Sequence, residues 1–191
     1  EGNLRAFLVN RIFSSAKNPH KINQNLKMKS IDIYLVQALD NYPYSLEDTL
    51  TSLEYALSYN ENNTQTLCLY GRFLAEQFKQ YDEAKTYFQK AISVDLNAVD
   101  AYPHYIETLL KNQDYPEAEK LIAFALKIKG IDVLAIKLSE VHLHERQLHI
   151  SKALKLAKKL YLYYYDVESK QLIDDVVDRL KKKQNIKRNK K

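Results

Sequence analysis

Tryptophan is absent from this chain, cysteine and methionine occur once each, and 191 residues contain only three glycines and four prolines. So few glycines leave no room for Gly-rich phosphate loops or a series of tight hairpins. A single cysteine, Cys68, excludes an internal disulfide and any cysteine-based metal site, and a reducing, intracellular setting is the simpler reading. No run approaches the roughly 20 uncharged apolar residues that a membrane-spanning helix needs, so a soluble, cytoplasmic protein without membrane insertion is expected. What the chain does have is 46% apolar and 28% charged residues, enough for one compact domain or one short repeat array.

Acidic residues are scarce at both ends, with Glu1 the only one in residues 1–30. Residues 181–191 carry seven Lys or Arg and no acid, and residues 1–30 carry a net charge of +5. The total of +5 then leaves residues 31–180 at −7, so the body is acidic and the sequence pI near 9.0 describes the ends. Within residues 2–27, Leu4, Phe7, Leu8, Ile12 and Phe13 fall at helical spacing among basic residues. This stretch reads as a targeting segment, as an extra capping helix, or as residues ahead of a start at Met28.

Four segments further on share one pattern: Leu46, Thr49, Leu53, Ala56 and Leu57; Tyr81, Ala84, Phe88, Ala91 and Ile92; Tyr115, Ala118, Ile122, Ala125 and Leu126; Ile150, Ala153, Ala157, Leu160 and Tyr161. They step by 35, 34 and 35 residues. Spacings of three and four place the small and large apolar residues on one face of a helix. Each segment follows a second helical stretch, such as Leu67-x-x-Tyr70-Gly71-x-x-Leu74 or Tyr102-x-x-Tyr105-Ile106-x-x-Leu109. A small residue at each crossing lets two backbones approach, and stacked pairs bury one continuous core.

Tyr81-Asp-Glu-Ala84-x-x-x-Phe88-x-x-Ala91 and Tyr115-Pro-Glu-Ala118 resemble the second half of the tetratricopeptide repeat, whose period is 34 residues. The resemblance covers roughly residues 30–165, and the segments Asp40-Asn-Tyr-Pro-Tyr-Ser and Leu67-Cys-Leu-Tyr-Gly-Arg are similar to a group of bacterial repeat proteins. The chain departs from the family in having no Trp and in carrying Leu96 or Asn97, and then Gly130, where the pattern has Pro. The resemblance implies an all-α, right-handed solenoid of antiparallel helix pairs. Its units span about 30–63, 64–97, 98–130 and 131–165, between a basic segment 1–29 and a capping helix at 166–183. A basic tail at 184–191 holds too little apolar surface to order itself and is expected to fray.

Helices are predicted near 3–14, 30–41, 46–59, 64–78, 81–94, 98–112, 115–128, 131–146, 150–165 and 167–183. In the fourth unit Leu134, Leu138 and Val141 compete with Ile136 and Leu143 for the buried face. The last helix gathers Leu172, Ile173, Val176, Val177 and Leu180 on one stripe, with Asp174, Asp175 and Asp178 opposite.

No catalytic constellation stands out, and the sequence implies no cofactor and no metal. His142 and His144 point to different sides of a helix, and His149 lies about 10 Å from His142 along it, so the three read as surface or groove residues. Cys68 faces the inner surface in the 35-residue frame set by Gly71. In the 34-residue frame set by Ala84 it is a buried structural thiol. The fifteen tyrosines read mainly as core and rim packing, although Lys158-Lys159-Leu-Tyr-Leu-Tyr-Tyr-Tyr approximates a stacking surface.

These readings favour a non-enzymatic protein-interaction scaffold that holds a peptide or helix on a concave face. The alternative is a nucleic-acid- or ribosome-associated protein working through its basic ends. The resemblance places the inner-facing positions of the first helices at Gln37, Asp40, Arg72, Glu76, Glu107 and Lys111, with Lys137 and Glu145 in the fourth unit. Arg72 and Glu107 fall at equivalent positions, where they either meet a bound chain or pair with each other.

Overall fold

The computed structural model describes residues 32–189. The helix expected at 3–14 and the basic start lie outside the described residues, as do residues 190–191. The described residues form nine α-helices and no strand: α1 (Ile33–Asn41), α2 (Leu46–Tyr59), α3 (Thr64–Phe73), α4 (Tyr81–Val94), α5 (Ala101–Lys111), α6 (Tyr115–Ala125), α7 (Val133–Arg146), α8 (Ile150–Lys159) and α9 (Val167–Asn189). Neighbouring helices pack on each other, and short turns fold each second helix back on the first. None of these helices is long and apolar enough to cross a membrane.

The repeated pattern is the core. Thr49, Leu53 and Ala56 on α2, Ala84, Phe88 and Ala91 on α4, Ala118, Ile122 and Ala125 on α6, and Ala153, Ala157 and Leu160 at α8 are all buried. Between them lie the first-helix residues Leu67, Tyr70, Tyr102, Tyr105 and Leu109, also buried. Because Ala84 and Ala118 are 0% exposed, Ala84→Leu or Ala118→Leu is expected to lower unfolding free energy by about 1–3 kcal/mol through overpacking. Urea denaturation of each variant is the check.

The backbone repeats as well. Lys79, Gln113 and Leu148 all adopt left-handed conformations, at φ 58°, 65° and 59°, in the turn between the two helices of a unit. Each is followed by an amide that reaches back to a carbonyl of the preceding helix: Gln80 to Leu74, Asp114 to Leu109, His149 to His144. The last two bonds span five residues and the first spans six. The extra residue sits in a π-turn, Leu74–Phe78, that ends the first helix of the second unit. The two frames seen in the sequence, 35 residues through Gly71 and 34 through Ala84, are thereby reconciled: the first helices keep one register, the second helices another, and the π-turn absorbs the difference.

Both competing stripes of α7 are buried. Leu134 and Val141 join Ile150, Leu154, Ile173, Val176, Val177 and Leu180 in a C-terminal cluster, with Leu138 at its edge. Ile136 and Leu143 are equally hidden, at 0% and 1% exposure, because α5 and α6 pack on the same helix. A helix enclosed on several sides needs apolar residues around most of its circumference.

α9 carries the expected apolar stripe except for Leu172, which is 44% exposed. It runs on to Asn189 rather than stopping at 183, so residues 184–189, expected to fray, are helical. Gln184 reaches Ser151 Oγ at 3.2 Å and Lys187 Nζ donates to the Leu148 carbonyl at 3.3 Å. These contacts, together with the cooperativity of extending an already nucleated helix, oppose the like-charge repulsion of the tail.

Candidate functional site

A groove of about 450 Å³ is lined by the first helix of every pair. α1 supplies Leu35 and Leu39, α3 supplies Gln65, Cys68, Leu69 and Arg72, α5 supplies Pro103 and His104, and α7 supplies Ala135; Val99, Asp100, Gly130 and Asp132 close the ends. Leu35 and Leu39 share a face because they are one turn apart, and Cys68 and Arg72 repeat that spacing on α3. The groove is therefore apolar along its floor and charged at its rims.

Arg72 is held in place before any ligand arrives. Its Nε donates to Glu76 Oε1 at 3.4 Å and its guanidinium lies over the Tyr42 ring, 5.2 Å from the centroid. The Tyr42 hydroxyl donates to the other oxygen of Glu76. Burial, reinforced by that carboxylate, pushes the Tyr42 hydroxyl up to about 12. Burial pushes the Glu76 carboxyl up, but the Tyr42 hydrogen bond and the Arg72 charge outweigh it and hold the group below its ordinary value. Glu76 lies in the π-turn, so the segment that breaks the α-helical register also orients Arg72.

Cys68 satisfies both expectations: it is only 7% exposed, yet it forms part of the groove wall. Its thiol makes a long 3.8 Å contact to the Asp100 carbonyl, and burial pushes it up to about 11. It is a thiol, not a thiolate, at neutral pH. Burial, aided by Arg72, pushes His104 down, so its ring is neutral and offers one donor and one acceptor.

A second, separate recess of about 490 Å³ is lined by Glu107, one turn along α5 from His104, and by His142, Glu145, Arg146, Leu148, Arg179 and Lys183. Arg179 of α9 grips Glu145 with two bonds, at 3.0 and 2.9 Å, and Lys183 adds a third at 2.7 Å. Burial raises the Glu145 carboxyl, but the two cations outweigh it and hold the group below its ordinary value.

Among the residues expected on the inner face, Arg72 lines the first groove, and Glu107 and Glu145 line the second recess. Gln37 and Asp40 are exposed on α1 away from the Leu35 and Leu39 positions that line the groove. Arg72 and Glu107 do not pair with each other: Arg72 bridges Glu76, and Glu107 bridges Lys111 at 2.9 Å. Lys137 sits over the Tyr163 ring at 5.2 Å. Glu145 is 8% exposed and its oxygens are taken by the last helix, so it is an anchor for α9. Arg179 was invisible as a site residue because nothing in the repeat pattern points to the helix after the last unit. Leu35 and Leu39 were legible only as a helical apolar pair.

His144, expected at the surface or in a groove, is 5% exposed and lines a small crevice with Glu119, Glu140 and Lys152; its Nδ1 is 3.3 Å from Gln147 Oε1 and its ring 6.1 Å from that of His149. Among the described residues no group of three or more His, Cys, Asp or Glu could hold a metal ion.

Acid should loosen this fold in two stages. Burial holds His104, His142 and His144 below 6.5, so the folded chain binds fewer protons than the unfolded one. Their contribution is complete above that value and declines as pH falls through it. Glu76 and Glu145, held below 4.5, stabilise the fold above that value and lose their contribution as pH falls further. The urea midpoint is expected to drop between pH 7 and about 5, then more steeply below 4.5. A variant with all three histidines replaced by Gln should flatten the first decline only.

Comparison with protein-family models returns no match, and comparison with curated proteins returns none either.

Proposed function

We propose that this chain is a non-enzymatic interaction scaffold of the tetratricopeptide type, a right-handed solenoid whose concave face holds a peptide or helix of a protein partner. The observation that carries this reading is the groove lined by all four first helices, with apolar side chains of Leu35, Leu39, Leu69 and Pro103 along it. An occupant would bury apolar side chains there while its polar groups met Arg72 and His104 at the rims. Arg72 presents a planar fork already positioned by Glu76 and Tyr42, which reduces the ordering cost of gripping a carbonyl or carboxylate. The non-enzymatic reading is supported by the state of the groove's nucleophile, a thiol raised by burial beside a neutral imidazole.

Affinity purification from the native source, followed by mass spectrometry, supplies a partner for calorimetric titration. Leu39→Asp and Arg72→Ala change residues that are partly exposed, so the fold should survive them. Each is expected to weaken binding at least ten-fold, since 1.4 kcal/mol corresponds to one decade. Glu107→Ala reports whether the contact extends into the second recess. Unchanged affinity in folded Leu39→Asp and Arg72→Ala variants would move the binding site off this groove.

A further inference from the structure

The turn between α8 and α9 leaves several apolar side chains exposed. Leu162 is 82% exposed, Tyr165 78% and Val167 83%, and Tyr164 stands half out between them. Scattered exposed apolar residues are ordinary, but four within six consecutive positions form a patch. The turn is also held firmly. Asp166 accepts the Ser169 amide at 2.6 Å, and Ser169 Oγ accepts the Tyr165 and Asp166 amides at 3.4 and 3.3 Å. This reciprocal cap fixes the start of α9 and presents the patch in one shape.

The helix leading into the turn is unusual in its charge. α8 carries Lys152, Lys155, Lys158 and Lys159 and no acid. Lys152 faces a crevice shared with Glu119 and Glu140. Lys155, Lys158 and Lys159 are exposed and make no ion pair among the described residues. The acids of α9 do not compensate them: Asp174 is bound by Lys170 and Tyr161, Asp178 by Lys181, and Asp175 by Gln171. Near the tip itself only Asp166, occupied in the cap, and the exposed Glu168 are negative.

We propose that this turn and the lysine face of α8 dock the protein on an anionic lipid surface. Leu162, Tyr164, Tyr165 and Val167 would rest at headgroup depth, and Lys155, Lys158 and Lys159 would meet lipid phosphates. Tyrosine places an apolar ring and a polar tip at such a boundary, and lysine keeps its ammonium in water while its stem lies along apolar surface. Lipid is favoured over nucleic acid because the two most exposed residues of the patch, Leu162 and Val167, are aliphatic: they gain nothing from a phosphate backbone or a base face but do gain from an acyl boundary. The contact is peripheral, and it does not depend on what the groove of the first helices holds.

The absence of tryptophan makes the test direct, because Tyr165→Trp places a single tryptophan at the tip that can be excited at wavelengths where the tyrosines do not absorb. The probes are vesicles of phosphatidylcholine with and without phosphatidylserine. The expected result is a blue shift and quenching by brominated lipid only with phosphatidylserine present, reversed by added salt. Adding Lys155→Gln, Lys158→Gln and Lys159→Gln should weaken partitioning roughly a hundred-fold, given the worth of one cation near a charged bilayer. Leu162→Ser with Val167→Ser should abolish the blue shift, with circular dichroism confirming the fold of every variant. Equal binding to neutral and anionic vesicles, no vesicle-dependent shift, or binding to oligothymidylate in preference to vesicles would each overturn the proposal. So would a shift that follows self-association without lipid.

Discussion

Gly71→Ala should destabilise this protein, although alanine is the better helix former by about 1 kcal/mol. A Cβ built on Gly71 would lie 2.9 Å from Phe88 Cζ and 3.0 Å from both adjacent ring carbons. The ring cannot swing aside, because Phe88 is 0% exposed and stacks on Tyr105 with centroids 5.6 Å apart. Overpacking of this kind typically costs about 1–3 kcal/mol, so after the gain in helix propensity a net loss of up to about 2 kcal/mol is expected in equilibrium unfolding. Phe88→Leu alone leaves a gap and also destabilises. Combined with Gly71→Ala it should cost less than the sum of the two, because the new methyl occupies space that the ring has vacated. Additive losses, or a stabilised Gly71→Ala, would mean that the two helices do not meet at these residues.

Gly71 and Phe88 both sit in the repeated pattern read from the sequence, but their contact is visible only in the fold. Small residues at Ala84, Ala118 and Ala153 marked helix crossings, and the bounds of α2 and α4 coincide with those read from spacing. Local periodicity carries that information because every unit solves the same packing problem. The π-turn was hidden for the opposite reason. It is a single inserted residue, visible in the sequence only as two incompatible frames, and its position depends on the Gln80 amide reaching back to the Leu74 carbonyl.

The site was less legible than the core. Counting along first helices found Arg72 but put Gln37 and Asp40 where Leu35 and Leu39 line the groove. A peptide groove is defined by which polar and apolar residues converge from several helices, and a one-residue shift in register turns a helix face by about 100°. Charge type alone also failed to separate a ligand contact from an intramolecular anchor. Glu145 looked like a groove residue until a partner 34 positions later, Arg179, folded onto it.

That anchor supports the other large prediction: Arg179→Ala combined with Lys183→Ala should detach the last helix. Glu145 is 8% exposed, so removing both cations strands a buried carboxylate, which typically costs about 3–5 kcal/mol. The loss should concentrate in the cluster of Ile173, Val176, Val177 and Leu180 against Ile150, Leu154 and Leu160, because α9 contributes four of the eleven buried residues of that core. Amide exchange along α9 is therefore expected to accelerate far more than exchange along α4. The pH dependence should invert as well. In the natural chain Glu145 stabilises the fold above 4.5 and loses that contribution as acid protonates it. In the double variant desolvation remains without its counter-charges, so the folded-state carboxyl lies above its unfolded value and protonation relieves the penalty as pH falls. Adding Glu145→Leu removes the stranded charge and fills its place with apolar volume, and it should restore most of the stability without restoring any ion pair. If the double variant keeps its urea midpoint and its α9 protection, the helix is held by the apolar cluster alone, and the three bonds to Glu145 add nothing measurable.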